Sequence, residues 1–361
     1  MKIVTIVGAR PQFIKAAMVS RAILEHNKNN SHKIQELLLH TGQHYDKNMS
    51  DIFFSGMGIP QPTWQLNCGS GTHGKMTGQM VIEIEQILMD TLPDYVLVYG
   101  DTNSTLAGAL AASKLNIPIA HVEAGLRSFN KQMPEEINRI LTDHMSSLLF
   151  CPTLAAVQNL RNEGIEEGVC PVGDVMYDAA LSFGNIAEST STILSDLTLK
   201  SKEFILCTVH RAENTDNEER IKQIIRALDT IGAETYPVVL PLHPRTRKSL
   251  EKFNLLETVE KHPGIIITEP LSFLDMVMLE KHAHTILTDS GGVQKEAYFH
   301  QTPCVTLRDE TEWVETVNAG WNQIAGHKAD SIIDCLNNVP QQKKIDEYGT
   351  GHAANTIVRL L

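Results

Sequence analysis

Short apolar runs recur along the chain, and each ends on polar or turn-forming residues. Lys2–Val7 leads into Gly8-Ala9-Arg10-Pro11, Ile34–His40 into Thr41-Gly42, Tyr95–Tyr99 into Gly100-Asp101, and Ile117–Val122 into Glu123. Leu148–Cys151 and Val169–Val172 complete this first set, with helical patterns between, such as Pro11 to about His26 and about Met76 to Met89. After a polar interval, Glu188–Lys202, the rhythm restarts. Phe204–Val209 runs into His210-Arg211, Pro237–Leu242 into His243, and Gly264–Thr268 into Glu269. Thr285–Thr288 runs into Asp289-Ser290-Gly291-Gly292, and Cys304–Leu307 into Arg308. Alternating strands and helices predict parallel sheets joined by right-handed crossovers. The expected fold is α/β: two Rossmann-like, doubly wound domains facing across a cleft. A length of 361 residues agrees, since a single core stops growing near about 250–300 residues. The expected domain limits are 1–172 and 173–345, with 346–361 forming a terminal helix.

In such sheets ligands meet the carboxyl ends of the strands, so the polar residues there are the candidate chemistry. The stretch His121–Arg139, HVEAGLRSFNKQMPEEINR, places Glu123, Arg127, Glu135, Glu136, Asn138 and Arg139 just past a strand. Its plainer reading is a salt-bridged loop and helix start, with Pro134 in the first turn and Glu135 and Glu136 favoured by the helix dipole. Asp101 ends a neighbouring strand, where an ordinary role is helix capping. Gly8-Ala9-Arg10-Pro11 predicts a helix start open to an anion, flanked by Arg10 and Lys15. The motif is not GxGxxG, so no nicotinamide or flavin cofactor is indicated. His40 and His44 are four apart across a glycine turn and lack a third ligand, which favours packing over metal. Ser290-Gly291-Gly292 predicts a phosphate cradle at a helix start. Without GxSxG, Ser290 is no nucleophile, and Glu296, about a turn further on, suits a ribose diol. His210 adds an imidazole and Arg211 a fixed cation. The sum is an anion site (Arg10, Arg211, Ser290, Gly291, Gly292) and an acid/base set (Asp101, Glu123, Glu135, His210), with no metal cluster and no covalent nucleophile. Such a set suits proton transfer beside a diphosphate leaving group, and equally glycosyl transfer.

Composition narrows the class. A net charge of −12 argues against a nucleic-acid or anionic-membrane surface. Six scattered cysteines form no CxxC, and Cys151, Cys207 and Cys304 sit in or beside apolar runs, as small buried residues do. No apolar run approaches the roughly 18–20 residues that span a bilayer, and MKIVTIVG enters a strand directly. A cytoplasmic location is the expectation.

The ordered segments GARPQFIK, GDTNST, HVEAGLRS with MPEEINR, VGDVMYDA, TVHRAEN and TDSGGVQKEA resemble the signature segments of the non-hydrolysing UDP-N-acetylglucosamine 2-epimerase family. The resemblance implies a GT-B-like fold, a homodimer, and a C-terminal helix, Ala353–Leu361, packed on the first domain. It implies inversion at C2 of a UDP-2-acetamido sugar: a base removes the C2 proton while UDP leaves by anti elimination. UDP then adds back as a proton arrives on the other face. By motif, Asp101, Glu123, Glu135 and His210 match the catalytic positions. Arg10, Lys15, Arg139, Arg211, His243, Ser290, Gly291, Gly292 and Glu296 match positions that bind UDP or its phosphates, and Leu271–Phe273 the uracil. The family's commonest members begin GTRPEAIK. The GARPQFIK form resembles the branch acting on modified sugars in surface polysaccharide biosynthesis, such as UDP-2,3-diacetamido-glucuronate. TGQHYDKNMS and GSGTHGKMTG depart from the pattern of members activated by their own substrate. The rivals are a hydrolysing epimerase, a GT-B glycosyltransferase and a non-catalytic nucleotide-sugar-binding regulator.

Overall fold

The computed structural model describes residues 1–43, 59–69 and 71–361. Among them, strands form two parallel sheets. In the first, β1 (Lys2–Val7), β2 (Gln35–His40), β3 (Trp64–Gln65), β4 (Tyr95–Tyr99), β5 (Ile119–Val122), β6 (Leu148–Cys151) and β7 (Val169–Pro171) lie in the order β3-β2-β1-β4-β5-β6-β7. In the second, β8 (Ile205–Thr208), β9 (Val238–Pro241), β10 (Ile265–Thr268), β11 (Thr285–Thr288), β12 (Cys304–Thr306) and β13 (Asn322–Ile324) lie in the order β10-β9-β8-β11-β12-β13. Central strands are continuous apolar runs because helices cover both faces; Val96 to Tyr99 and Ile119 to Val122 are almost fully buried. Strands β3 and β13 carry no such run and escaped the sequence reading. Both are short edge strands, and the buried Asn322 in β13 is satisfied by Thr306 Oγ1, which donates to its amide oxygen at 2.8 Å, and by Gln294 Oε1, which accepts from its amide at 3.1 Å.

Each sheet reverses its strand order once, between β1 and β4 and between β8 and β11. Those are the switch points where crossovers diverge to opposite faces and leave a crevice beyond the strand ends. Every polar residue singled out beside them follows from this topology: Gly8 to Arg10 after β1, Asp101 after β4, His210 after β8, and Ser290 after β11.

The chain divides into one unit of Met1–Ala179 with Asp346–Leu361, and a second of Ala180–Ile345. The first boundary thus falls beyond residue 172, inside the helix Val175–Thr190. Helix Ala353–Leu360 packs on helix Arg10–Asn29. Its first amides, Ala353 N–H and Ala354 N–H, donate to the Asp178 carboxylate at 3.1 and 2.8 Å. Cys151, Cys207 and Cys304 are buried core residues; burial pushes the Cys151 thiol up to about 12, with Asp143 and Cys170 adding to the rise against Arg127. Among the described residues no helix is long and apolar enough to cross a membrane.

Candidate active site

Next to the switch point of the first unit, register places Tyr99 beside Val122, so the turns Gly100-Asp101 and Glu123-Ala124-Gly125 leave adjacent strands together. Both turns use left-handed backbone: Gly100 has φ 62°, Glu123 φ 73° and Gly125 φ 80°. A non-glycine residue held there costs about 1–3 kcal/mol and persists only where its surroundings fix it. Around Glu123 they do. Its amide and that of Ala124 both donate to the Phe150 carbonyl at 3.1 Å, and its carboxylate accepts from Lys15 Nζ. Lys15 is 7% exposed, so the pair is shielded from solvent on the lysine side. A cavity of about 10 Å³, near the size of one water, lies beside this pair against Phe150, Pro152 and Asp174.

Asp101 pairs with Arg139 Nη2 at 3.2 Å. It is not the helix cap: Thr102 caps the helix Asn103–Lys114, its Oγ1 accepting from Thr105 N–H at 3.3 Å. Crowding by protein raises the Asp101 carboxyl above its usual range; Arg139 opposes this, Glu123 adds to it, Lys15 opposes and Glu135 adds. The side chain keeps 39% exposure, so water screens part of that effect. Glu135 is exposed in the first turn of the helix Pro134–Met145, while its neighbour Glu136 is buried. Glu136 accepts from the Ser128 and Phe129 amides at 2.9 and 2.8 Å and pairs with Arg139 at 3.2 Å. Arg139 therefore bridges a candidate catalytic carboxylate and a loop-holding one. Arg10 opens the helix Arg10–Asn29. Gln12 Oε1 accepts from Gly8 and Ala9 N–H at 2.8 and 3.0 Å, so those two amides are already engaged within the chain.

Below these turns lies a group the sequence reading passed over. His121 and Asp143 are buried at 0% and 1% exposure. His121 Nδ1 lies 2.6 Å from Asp143 Oδ1 and Nε2 lies 2.8 Å from the Gly100 carbonyl. Asp143 Oδ2 accepts from Gly125 N–H at 3.1 Å and Arg127 Nη1 at 2.7 Å. Burial alone would raise Asp143, but His121 and Arg127 outweigh it and hold the carboxyl below its usual range.

In the second unit, Asp289 ends β11 fully buried. It accepts from His210 N–H at 3.0 Å, Arg211 N–H at 3.0 Å and Asn214 Nδ2 at 3.1 Å, fixing the turn after β8. His210 Nδ1 is 3.5 Å from Asp289 Oδ1, and its ring lies 5.4 Å from that of His243. Burial lowers His210 below the usual histidine range; Asp289 opposes, while His243 and Arg211 add to the fall. A neutral imidazole at pH 7 is a competent base. His243 caps the helix Pro244–Lys252, accepting from Arg245 N–H at 3.2 Å. Ser290 caps the helix Gly291–Phe299, which also carries Glu296. Phe273 opens the helix Phe273–His282 and packs edge-on against Phe183, ring centroids 5.3 Å apart. Gly291 is buried, and a Cβ there would stand 2.6 Å from Glu312 Oε1 and 3.7 Å from Arg211 Nη2. The expected open cradle thus has a carboxylate of the chain itself beside it, held by Arg308 Nη1 at 2.9 Å. The sequence reading did not single out Glu312: Arg308, four residues before it, holds it locally, but its approach to Gly291 comes from a separate strand end.

Among the described residues no group of three or more His, Cys, Asp or Glu is arranged to hold a metal. His40 Nδ1 accepts from Gly42 N–H at 2.7 Å and its ring packs on Phe13 at 4.9 Å; His44 lies outside the described residues. A groove of about 870 Å³ opens near Met1, His26, Lys33 and Arg359, at the opening ends of the strands and away from this chemistry.

Residues 26–361 match the family model described as UDP-N-acetylglucosamine 2-epimerase. The chain is 52% identical to a UDP-N-acetylglucosamine 2-epimerase homolog of Methanococcus maripaludis, covering 100% of this chain and 99% of that protein. It is 51% identical, over the same shares, to the UDP-2,3-diacetamido-2,3-dideoxy-D-glucuronate 2-epimerase of Pseudomonas aeruginosa. Its fold matches the Methanocaldococcus jannaschii UDP-GlcNAc 2-epimerase solved in complex with UDP-GlcNAc and UDP, with a TM-score of 0.88, 45% identity, and coverage of 100% and 99%.

Proposed function

The chain belongs to the UDP-N-acetylglucosamine 2-epimerase family, and from that premise we propose that it inverts C2 of a UDP-2-acetamido sugar by eliminating and re-adding UDP. The observation that carries the reading is the pair of carboxylates on adjacent strand ends, Asp101 against Arg139 and Glu123 against Lys15. Two carboxyl groups in unlike settings suit opposite proton tasks. Glu123, ion-paired with Lys15 at a turn backed by Phe150, suits proton removal. Asp101, raised by crowding, suits proton delivery, and Glu135 adds charge at the same edge.

Departure of UDP places negative charge on the diphosphate. Arg10, Arg211, His243, Ser290, Gly291 and Gly292 are proposed to bind it, with Glu296 on the ribose and Leu271–Phe273 at the uracil. Neutral His210 takes part in proton transfer. The substrate is UDP-N-acetylglucosamine or a modified analogue such as a 2,3-diacetamido uronate; relatives of both names are about equally similar to this chain. A homodimer is proposed from the resemblance and a cytoplasmic location from the sequence reading, and light scattering and cell fractionation test them.

Proton NMR in D2O tests the chemistry on UDP-N-acetylglucosamine, its 2,3-diacetamido uronate analogue and a UDP-6-deoxy acetamido sugar. Deuterium entering at C2 with formation of the 2-epimeric UDP-sugar is expected. Free UDP accumulating with free sugar would move the assignment to a hydrolysing epimerase. UDP binding without C2 exchange would favour a transferase or a binding protein.

A further inference from the structure

Both nitrogens of the fully buried His121 ring face oxygen atoms, the Asp143 carboxylate at 2.6 Å and the Gly100 carbonyl at 2.8 Å. A carbonyl only accepts, so Nε2 donates to Gly100. The other Asp143 oxygen already accepts from Arg127 Nη1 at 2.7 Å and Gly125 N–H at 3.1 Å, as a carboxylate does, so Oδ1 accepts in turn and Nδ1 donates as well. One imidazole thereby spans from the turn that carries Asp101 to the carboxylate that holds the Gly125 amide, at the end of the turn that carries Glu123. The two turns share no helix, and Glu123 sits in backbone that an unrestrained glutamate leaves.

We infer that His121 and Asp143 are a positioning pair for epimerisation, fixing Asp101 and Glu123 at one mutual placement. The inference rests on the epimerase reading for its rate consequences, but not for its geometry. Arg127 completes the assembly: it joins Asp143 at 2.7 Å and Glu163 at 2.7 Å. The buried charges are therefore paired, which buried ions require. Neither His121 nor Asp143 is placed to touch substrate; each acts through the turns above it.

The test uses the full chain with His121→Gln and Asp143→Asn. Misplacing a reacting group by about 1 Å costs about 10²-fold in rate. Each variant is therefore expected to lose about that much kcat for C2 exchange, with KM and the calorimetric Kd for UDP within about threefold of wild type. Because a variant may fail to fold, the wild-type protein supplies a second reading. Nitrogen-15 histidine labelling should show one imidazole with hydrogen on both nitrogens and both N–H protons shielded from exchange, and folded His121→Gln should lack it. Unchanged kcat in folded variants, or no doubly donating protected imidazole in wild type, overturns the pairing. If wild-type protein shows that imidazole but no C2 exchange with any sugar, the staple stands and the epimerase reading fails.

Discussion

Gly100→Ala separates backbone cost from chemical cost at a single atom. Gly100 has φ 62°, a conformation that costs an L-residue roughly 1–2 kcal/mol. Unfolding of a unit of this size shifts by about 2–4 °C per kcal/mol, so Tm should fall by roughly 2–8 °C. The new methyl also meets the site: its carbon would stand 3.2 Å from Glu123 Oε2 and 3.4 Å from Lys15 Nζ. At that spacing the carboxylate must give by a few tenths of an ångström. If a 1 Å error costs about 10²-fold, kcat should fall about tenfold, while UDP affinity, set by other groups, holds. Scanning calorimetry and deuterium exchange at C2 read the two effects separately. Gly78→Ala is the internal control, because a Cβ there meets nothing within 4 Å in a helix; it should raise stability slightly and leave kcat alone. A Gly100→Ala enzyme with lowered Tm and wild-type kcat would refute the placement of Glu123 at the reacting centre.

Other outcomes follow from the same geometry. Asp101→Asn, Glu123→Gln and Glu135→Gln should each bind UDP by calorimetry yet lose exchange by about 10²–10⁴-fold; unchanged rates in all three would end the assignment. His210 is lowered in the folded protein, so it stays neutral to below the ordinary histidine value of about 6.5. The acid limb of kcat/KM should therefore lie under that value and vanish in His210→Asn. By linkage the half-buried neutral ring contributes stability above about 6.5, reduced by solvent screening, that is lost as pH falls through its lower folded value. Arg10→Ala should weaken UDP binding through loss of a charge-assisted contact, and an unaltered Kd would remove Arg10 from the site.

The fold was legible because strand ends and strand interiors differ in kind. Buried parallel strands demand unbroken apolar runs, and Tyr95–Tyr99 or Phe204–Val209 announce themselves. Edge strands such as Asn322–Ile324 carry no such demand and stayed hidden. Within the site, Asp101, Glu123 and His210 were visible as polar residues directly after strands. His121 was not, since it sits inside the apolar run, where it reads as an interruption. Its partner Asp143 lies a helix away, and Glu312 reaches Gly291 from across the sheet edge. Such residues are defined by distant partners, and a linear pattern holds no trace of that. After β1, Gln12 folds back onto the Gly8 and Ala9 amides, a choice of side-chain rotamer that composition does not encode.

The first unit is discontinuous in the chain, and this sets an order of events in time. Its sheet is written in the first 179 residues, but its last helix follows the whole of Ala180–Ile345. At about 5–20 residues per second of synthesis, roughly ten to thirty seconds pass between the two. Throughout that interval Asp178 lacks the Ala353 and Ala354 amides that later satisfy it, and the face of helix Arg10–Asn29 that receives helix Ala353–Leu360 stays bare. The second unit, contiguous in sequence, is complete before the first. The unit begun first is therefore finished after the second, and a nascent chain stalled before residue 353 would present an unsatisfied surface to the cell's quality control.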